Sequence, residues 1–122
     1  MSYILFLDDE RNPENVIYKN PVLEDLDNVV VCRNLYEART YIKEHGLPYH
    51  VSFDYILNPN NPNFQPGTKL ANFLTMEAMR GNLPEDFTYY VHSEYERAYE
   101  INKIMDKAFE IRDNLNNKKS KI

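Results

Sequence analysis

Two aspartates stand in tandem where the first apolar run of the chain stops. Residues 3–7 (YILFL) are followed directly by Asp8, Asp9, Glu10 and Arg11. Carboxylates held close together repel one another and raise each other's pKa. A divalent cation relieves that repulsion, and hard oxygen ligands favour Mg²⁺ or Ca²⁺. The planar guanidinium of Arg11 is suited to clamping phosphate oxygens, whereas we expect Glu10 to face solvent.

Polar residues with similar chemistry follow two later apolar runs. Asp54 comes directly after Val51-Ser52-Phe53, and His92 and Ser93 come directly after residues 87–91. A histidine can transfer a proton near neutral pH, and a serine hydroxyl can donate a hydrogen bond to a phosphoryl oxygen. Each residue alone has a simpler explanation, such as a solvated turn for the tandem aspartates, a helix N-cap for Ser93 or a core imidazole for His92. Their joint occurrence predicts a pocket.

The predicted elements bring these residues to one edge of a sheet. A short, fully apolar run is typical of a strand buried on both faces of a parallel sheet. We predict strands at 3–7, 28–32, 49–53 and 87–91, and helices after Asn34, from Thr68 and after Ser93. This alternation predicts an α/β fold with right-handed crossovers. We expect an open parallel sheet of about four strands in the order 2-1-3-4, receiver-like (flavodoxin-like) but truncated, with helices on both faces. Ligands bind at the carboxyl edge of such sheets.

Local signals support these boundaries. Asn34 with Glu37, and Ser93 with Glu96, have the spacing of capping boxes, and Gly46 supplies a left-handed helix end. Residues 14–27 have poor periodicity, with a short helix at most. Residues 58–67 contain three prolines and predict a long loop, which in a compact domain is usually functional or mobile.

Composition sets the limits of the interpretation. With 122 residues and a net charge of −5, we expect one domain at 1–117 and a flexible basic tail at 118–122. The acidic balance argues against general nucleic-acid binding, and no apolar run approaches the roughly 20 residues that span a bilayer. The single cysteine, Cys32, cannot form an internal disulfide, so we expect a buried thiol in a reducing cytoplasm. We interpret His45 and His50 as structural.

Several motifs resemble a divergent branch of the response-regulator receiver domains, the cyclic-phosphate-processing receiver family, which is often found in phage and bacterial genomes. They are residues 7–13 (LDDERNP), 52–54 (SFD), Gly67 at the start of the next helix, and 91–93 (VHS). Arg11 and His92 are typical of this branch and not of ordinary receivers. The resemblance covers nearly the whole chain.

The chain also departs from that family. Asp54 is followed by Tyr55, Ile56 and Leu57, where the family usually has Asp-His-Asp-Leu. Tyr95 lies near the place where an asparagine is usual after His-Ser. The fifth-strand lysine of ordinary receivers has no counterpart. These departures weaken the enzymatic interpretation and the phosphorylation-switch interpretation alike.

The resemblance implies metal-dependent hydrolysis or ring opening of a cyclic phosphate or nucleotide, in the manner of a phosphodiesterase. Asp8, Asp9 and Asp54 would hold Mg²⁺ (or Mn²⁺ or Ca²⁺), which acts as a Lewis acid. Arg11 would bind the phosphate and Ser93 would orient it. His92 would act as general acid or base, and Asp54 is alternatively a nucleophile.

Two other functions remain open at this point. One is a receiver-type signalling module, in which Asp54 is phosphorylated and the last helix is the output surface. The other is a catalytically inactive module, possibly phage-encoded, that binds a nucleotide or a protein, and the residues at 55, 56 and 95 favour it. The expected partner is a small phosphorylated or cyclic-nucleotide ligand in the cytoplasm of a bacterial or phage-infected cell, with no membrane contact. The sequence predicts neither the substrate nor the oligomeric state.

Overall fold

The computed structural model of the chain describes residues 2–55, 57 and 66–120. Its four-stranded sheet is entirely parallel. The strands are β1 (Ile4–Leu7), β2 (Val29–Cys32), β3 (His50–Phe53) and β4 (Thr88–Val91), in the order β2-β1-β3-β4. The predicted fold class and strand order are therefore confirmed, and each strand begins one residue later than the sequence suggested.

Three α-helices follow the last three strands: α1 (Leu35–His45), α2 (Thr68–Met79) and α3 (Tyr99–Ser120). The side chain of Asn34 accepts a hydrogen bond from the amide of Glu37, and Gly46 ends α1 with φ of 87°. Both predicted signals of α1 are thus confirmed. Because α3 extends to Ser120, its helical structure continues beyond the predicted domain end at 117.

The capping box predicted at Ser93 is wrong. The hydroxyl of Ser93 accepts a hydrogen bond from the amide of Tyr95, so it closes a local turn instead of capping a helix. A 3-10 turn at Glu96–Ala98 follows, and α3 begins only at Tyr99. Serine hydroxyls compete for nearby backbone amides in this way.

We call the side of the sheet that faces the three α-helices the helical face. Successive strand residues point to opposite sides, and Leu5, Leu7, Val51 and Phe53 point to the helical face. There they join the main apolar core with buried residues of every α-helix, among them Ala38, Leu74 and Met105. Cys32 belongs to the same core; burial, and next the charge of Glu37, raise the pKa of its thiol to about 12.

We call the opposite side the second face. It is covered by the segment between β1 and β2, which forms three 3-10 helices at Pro13–Asn15, Pro21–Glu24 and Leu26–Asn28. Val16 and Leu23 of this segment pack against Ile4 and Phe6 of β1. Helical structure therefore covers both faces, with α-helices on one and 3-10 helices on the other.

Two further predictions concern the proline-rich loop and membrane-spanning segments. Most of the predicted proline-rich loop, residues 58–65, lies outside the described residues. Among the helices that the structure describes, none is both long enough and apolar enough to cross a bilayer.

Candidate functional site

The strand register brings the predicted site residues together. Leu7 of β1 is paired with Phe53 of β3, and Phe53 with Val91 of β4. The next residue on each strand is Asp8, Asp54 and His92, and all three are buried. One donor atom from each lies within 4.8 Å of the others. We call these three residues the acidic cluster.

The carboxylate of Asp8 is held on both oxygens. Oδ1 accepts hydrogen bonds from the amides of Glu10 and Arg11, each at 2.9 Å. Oδ2 accepts from Nε of Arg11 at 2.9 Å and lies 3.0 Å from Nε2 of His92. Burial alone would raise the pKa of Asp8, but the hydrogen bonds from His92 and the two amides outweigh it, with a smaller contribution from the Arg11 charge, and lower the pKa to about 2. Asp8 is therefore a fixed, ionised carboxylate.

Asp54 is in a different electrostatic situation. Its Oδ1 accepts a hydrogen bond from the amide of Tyr55 at 2.8 Å and lies 3.6 Å from a terminal nitrogen of Arg11. Burial and next the neighbouring charge of Asp8 raise the pKa of Asp54, and the charge of Arg11 and the hydrogen bond from the Tyr55 amide only partly offset this. The surroundings of Asp54 therefore disfavour its ionised form, which a nearby cation would favour.

The donor set fits a hard divalent cation. The two buried carboxylates both lie beside the guanidinium of Arg11, and carboxylate oxygens are the ligands that Mg²⁺ prefers. Nε2 of His92 points at Asp8, and a nitrogen this close to a carboxylate oxygen carries the proton between them. The oxygens of Asp8 and Asp54 are therefore the atoms suited to the cation.

Arg11 and a second arginine shape the loop after β1. The two ion pairs of Arg11 use Nε and one terminal nitrogen, while 38% of its side chain is exposed. The guanidinium of Arg33 donates to the carbonyl oxygens of Asp8 and Arg11 and to Oδ1 of Asn12. The sequence analysis missed Arg33, although its place directly after β2 puts it at the same edge of the sheet.

His92 is enclosed by protein groups. Its side chain is 0% exposed, its Nδ1 lies 2.7 Å from Oγ of Ser52, and its ring stacks on Phe6 at 4.8 Å between centroids. Both ring nitrogens therefore have protein partners. The general acid or base role of His92 stays a prediction, and this geometry favours a role in holding Asp8.

The remaining predicted site residues lie around the cluster. Asp9 and Ser93 are half-buried and Glu10 is exposed, as expected for Glu10. Ser93 accepts its hydrogen bond from the amide of Tyr95, and an oxygen that accepts there can still donate its own hydrogen. The metal role of Asp9 and the phosphate role of Ser93 stay predictions.

Gly67 allows α2 to approach the end of β3. Its amide donates to the carbonyl oxygen of Tyr55 at 2.7 Å, and a Cβ at this position would lie 2.0 Å from the carbonyl oxygen of Asp54. No side chain fits there. Tyr55 itself donates to Glu100 of α3 at 2.6 Å and packs against Tyr95 with 5.0 Å between ring centroids. Two of the positions that depart from the family motifs are therefore in contact.

Three further polar residues, which the sequence analysis did not assign to the site, support it from the second face. Ser52, Asn20 and His50 are 0%, 3% and 2% exposed. Nδ2 of Asn20 lies 3.2 Å from Oγ of Ser52 and 3.0 Å from Nε2 of His50. The available signal was the alternation in β3, where His50 and Ser52 are polar residues between apolar ones in a buried strand.

A groove of about 930 Å³ lies between α1 and α2, and it is lined by residues such as Leu35, Arg39, Phe73 and Arg80. No member of the acidic cluster lines it. The pocket predicted at the edge of the sheet stays a prediction, since residues 58–65, which follow Asp54 closely in sequence, lie outside the described part of the chain.

The parallel sheet, its strand order and the acidic residues at its carboxyl edge define a receiver-like α/β domain. The family model of the cyclic-phosphate processing receiver domain matches residues 3–107. The chain belongs to this family. No curated protein and no solved structure matches the chain significantly.

Proposed function

We propose that this domain opens the ring of a cyclic phosphate or cyclic nucleotide in a reaction that requires Mg²⁺. The observation that carries the proposal is the pair of buried carboxylates, Asp8 and Asp54, beside the partly exposed guanidinium of Arg11. This arrangement lies at the edge where open α/β sheets bind ligands. The family description supports a cyclic phosphate as the substrate class.

The charges of the cluster support a bound cation. The lowered pKa of Asp8 keeps this carboxylate ionised at every physiological pH, and its charge contributes to the raised pKa of Asp54. A divalent ion would favour the ionised form of both groups. When bound there, Mg²⁺ would supply Lewis-acid polarisation of a phosphoryl oxygen.

Each side chain has a distinct part in this proposal. Asp8 is the rigid ligand: the amides of Glu10 and Arg11 hold its Oδ1, and a cation would bind Oδ2 in place of the Nε contact of Arg11. Both described contacts of Asp54 use Oδ1, so we assign Oδ2 to the cation or to the attacking water. Asp9 is retained as a further ligand.

The phosphate-binding groups lie beside these ligands. The exposed part of the Arg11 guanidinium binds phosphoryl oxygens as a charge-assisted donor. Ser93 donates its hydroxyl hydrogen to the same group. We assign His92 to the orientation of Asp8, because its ring nitrogens are both engaged with protein atoms.

The test is hydrolysis of a panel of cyclic phosphates with Mg²⁺ and with EDTA. The panel contains 2′,3′-cyclic nucleotides, 3′,5′-cyclic nucleotides and ADP-ribose cyclic phosphate. We expect ring opening of at least one member that requires the metal and falls by about 100-fold or more in Asp54→Asn, the scale seen when a preorganised electrostatic contact is lost. Asp86→Asn is the matched control, because Asp86 is exposed and precedes the opposite end of β4.

The other outcomes separate the alternatives. Turnover that survives in Asp54→Asn would refute the proposed site. Tight binding of a panel member without turnover would favour the inactive binding module. Transfer of a phosphoryl group from phosphoramidate to Asp54, with a change in oligomeric state and no ring opening, would favour the signalling module.

A further inference from the structure

A continuous chain of buried hydrogen bonds leads away from the acidic cluster along the second face. From Asp8 it passes to His92 at 3.0 Å and from His92 to Ser52 at 2.7 Å. Asn20 then bridges Ser52 at 3.2 Å and His50 at 3.0 Å. The buried members of this chain have no polar side-chain atom without a partner within the described residues.

The far end of the chain lies at the opposite end of the sheet. Nδ1 of His50 is 2.7 Å from the hydroxyl of Thr88, an exposed residue at the start of β4. His50 and Thr88 are partners in the register of β3 and β4. The hydrogen bonds therefore run the full length of these two strands.

When both imidazoles are neutral, only one donor-to-acceptor direction is consistent along this series of hydrogen bonds. A carboxylate only accepts, so the proton of His92 lies on Nε2, toward Asp8, and its Nδ1 accepts from the hydroxyl of Ser52. Ser52 in turn accepts from the amide group of Asn20. The reverse order would place either a bare nitrogen against the Asp8 carboxylate or a proton on both nitrogens of His92.

The same reasoning gives His50 the opposite tautomer to that of His92. Asn20 donates one amide hydrogen to Ser52 and the other to Nε2 of His50, which must therefore be bare. The proton of His50 lies on Nδ1 and is donated to Thr88. Burial lowers the pKa of His50 to about 4, which agrees with a neutral ring in this place.

We propose that Ser52, Asn20 and His50 are positioning residues that hold His92 with its proton on Nε2, and through it fix the Asp8 carboxylate. Hydrogen-bonded partners behind a ligand set both its orientation and its basicity. His92 is held in this way by Ser52 on one side and by stacking on Phe6 on the other. The proposal rests on the proposed function for its relevance to Mg²⁺, but the tautomers themselves do not depend on it.

The first experiment is nitrogen NMR of the full chain labelled with ¹⁵N-histidine at mildly alkaline pH. The chain has three histidines, so His45→Gln and His50→Gln assign the signals. We expect His92 to be protonated on Nε2 with a hydrogen-bonded Nδ1, and His50 to be protonated on Nδ1. A proton on Nδ1 or on both nitrogens of His92 would overturn the proposal without any variant in the network.

The second experiment reverses the donor-to-acceptor direction of the hydrogen bonds through a substitution that hardly changes the size of the side chain. In Asn20→Asp the introduced carboxylate can only accept, so His50 should gain a proton on Nε2 and the hydroxyl of Ser52 should turn toward the carboxylate. The Nδ1 signal of His92 should then move to the position of a nitrogen that has lost its hydrogen-bond donor. A purely structural role would leave both tautomers unchanged, and that result would contradict the proposal.

The connection to the metal is tested by Mg²⁺ titration alone, followed through the His92 signals. We expect Ser52→Ala to weaken Mg²⁺ binding by about 10-fold or more, and Ser52→Thr, which keeps the hydroxyl, to restore most of it. Unchanged affinity in a folded Ser52→Ala would separate the network from the site. If the tautomers are as expected but no cyclic phosphate is hydrolysed, the proposed function fails and the positioning network stands.

Discussion

The two faces of the sheet are built on different chemistry. On the helical face, the strand side chains are apolar and meet the buried residues of three α-helices. On the second face, Ile4 and Phe6 lie beside the polar side chains of His50 and Ser52, and a segment of 3-10 turns covers them. The helical face is held by apolar contact, whereas the second face combines a smaller apolar cluster with a chain of buried hydrogen bonds.

This difference separates stability from positioning. Apolar burial stabilises a fold in proportion to area and has little directional preference. A buried hydrogen-bond chain contributes less net free energy, but it is costly to leave incomplete. The helical face therefore supplies most of the stability, while the second face determines where Asp8 and His92 stand.

The largest effect on stability is expected from the helical face. Leu74 of α2 is fully buried, and truncation of a buried leucine to alanine costs about 3 kcal/mol of unfolding free energy. We expect Leu74→Ala to lose that amount by urea denaturation, with Mg²⁺ affinity of the folded protein unchanged. Met76→Ala, at an exposed position of the same helix, is the matched control. Weakened Mg²⁺ binding in folded Leu74→Ala would break the division between the faces.

A pH-dependent effect of similar size is expected from the second face. Burial lowers the pKa of His50 from its usual 6.5 to about 4. As the pH falls through 6.5 the unfolded chain takes up this proton and the folded chain does not, so stability is complete above pH 6.5 and is lost progressively toward pH 4. The loss is on the order of 3 kcal/mol.

Urea denaturation of the wild type and His50→Gln at several pH values measures this contribution. The stability difference, wild type minus variant, should fall between pH 6.5 and pH 4. His45→Gln is the control, because His45 is exposed at the end of α1. A difference that stays constant across the window would show that His50 is not held neutral by the second face.

A smaller effect on stability is expected at Gly67, where α2 approaches the end of β3 beside the acidic cluster. In Gly67→Ala the new Cβ would overlap the carbonyl oxygen of Asp54, at 2.0 Å, so α2 or the end of β3 must move. We expect a loss of about 1–3 kcal/mol and weaker Mg²⁺ binding by calorimetry. Gly81→Ala strains a backbone with φ of 78° but meets no atom within 4 Å, so it should lose stability with no change at the site. Equal Mg²⁺ binding in both variants would contradict this expectation.

The smallest effect is expected at the cap of α1. Asn34→Ala removes the hydrogen bond to the amide of Glu37 and should cost about 1 kcal/mol. Asn34→Asp, which keeps the accepting oxygen, should retain most of that stability. Thermal unfolding measures both, and the histidine signals of the second face should remain as in the wild type.

The sequence predicted what depends on short-range patterns. Apolar runs located the strands, and the strand order then placed Asp8, Asp54 and His92 side by side, because each directly follows its strand. The strand order followed from the alternation of strands and helices. The location of the site followed from the tendency of open α/β sheets to bind ligands at their carboxyl edge. The cluster was therefore predictable without knowledge of any side-chain contact.

The support of the site was not predictable in the same way. Asn20 reaches Ser52 and His50 only because residues 13–28 fold back over β1 and β3, and that segment has no periodicity from which its path follows. The predicted start of α3 was wrong for a related reason, because the hydroxyl of Ser93 accepts a hydrogen bond from the amide of Tyr95 in a turn. Both cases depend on which of several nearby polar partners a group finds.

The 3-10 segment over the second face has a consequence for how the protein opens. Its amides are held by isolated short-range bonds, such as Val16 to Pro13 and Leu23 to Asn20, and not by a long cooperative helix. Units of this kind open with a smaller free energy than the global one. Lifting the segment would detach Asn20 from Ser52 and His50 while the three-helix core stays intact. Binding of Mg²⁺ at the acidic cluster should then slow amide hydrogen exchange at Val16 and Leu23. Both residues lie on the opposite side of the sheet from the three α-helices.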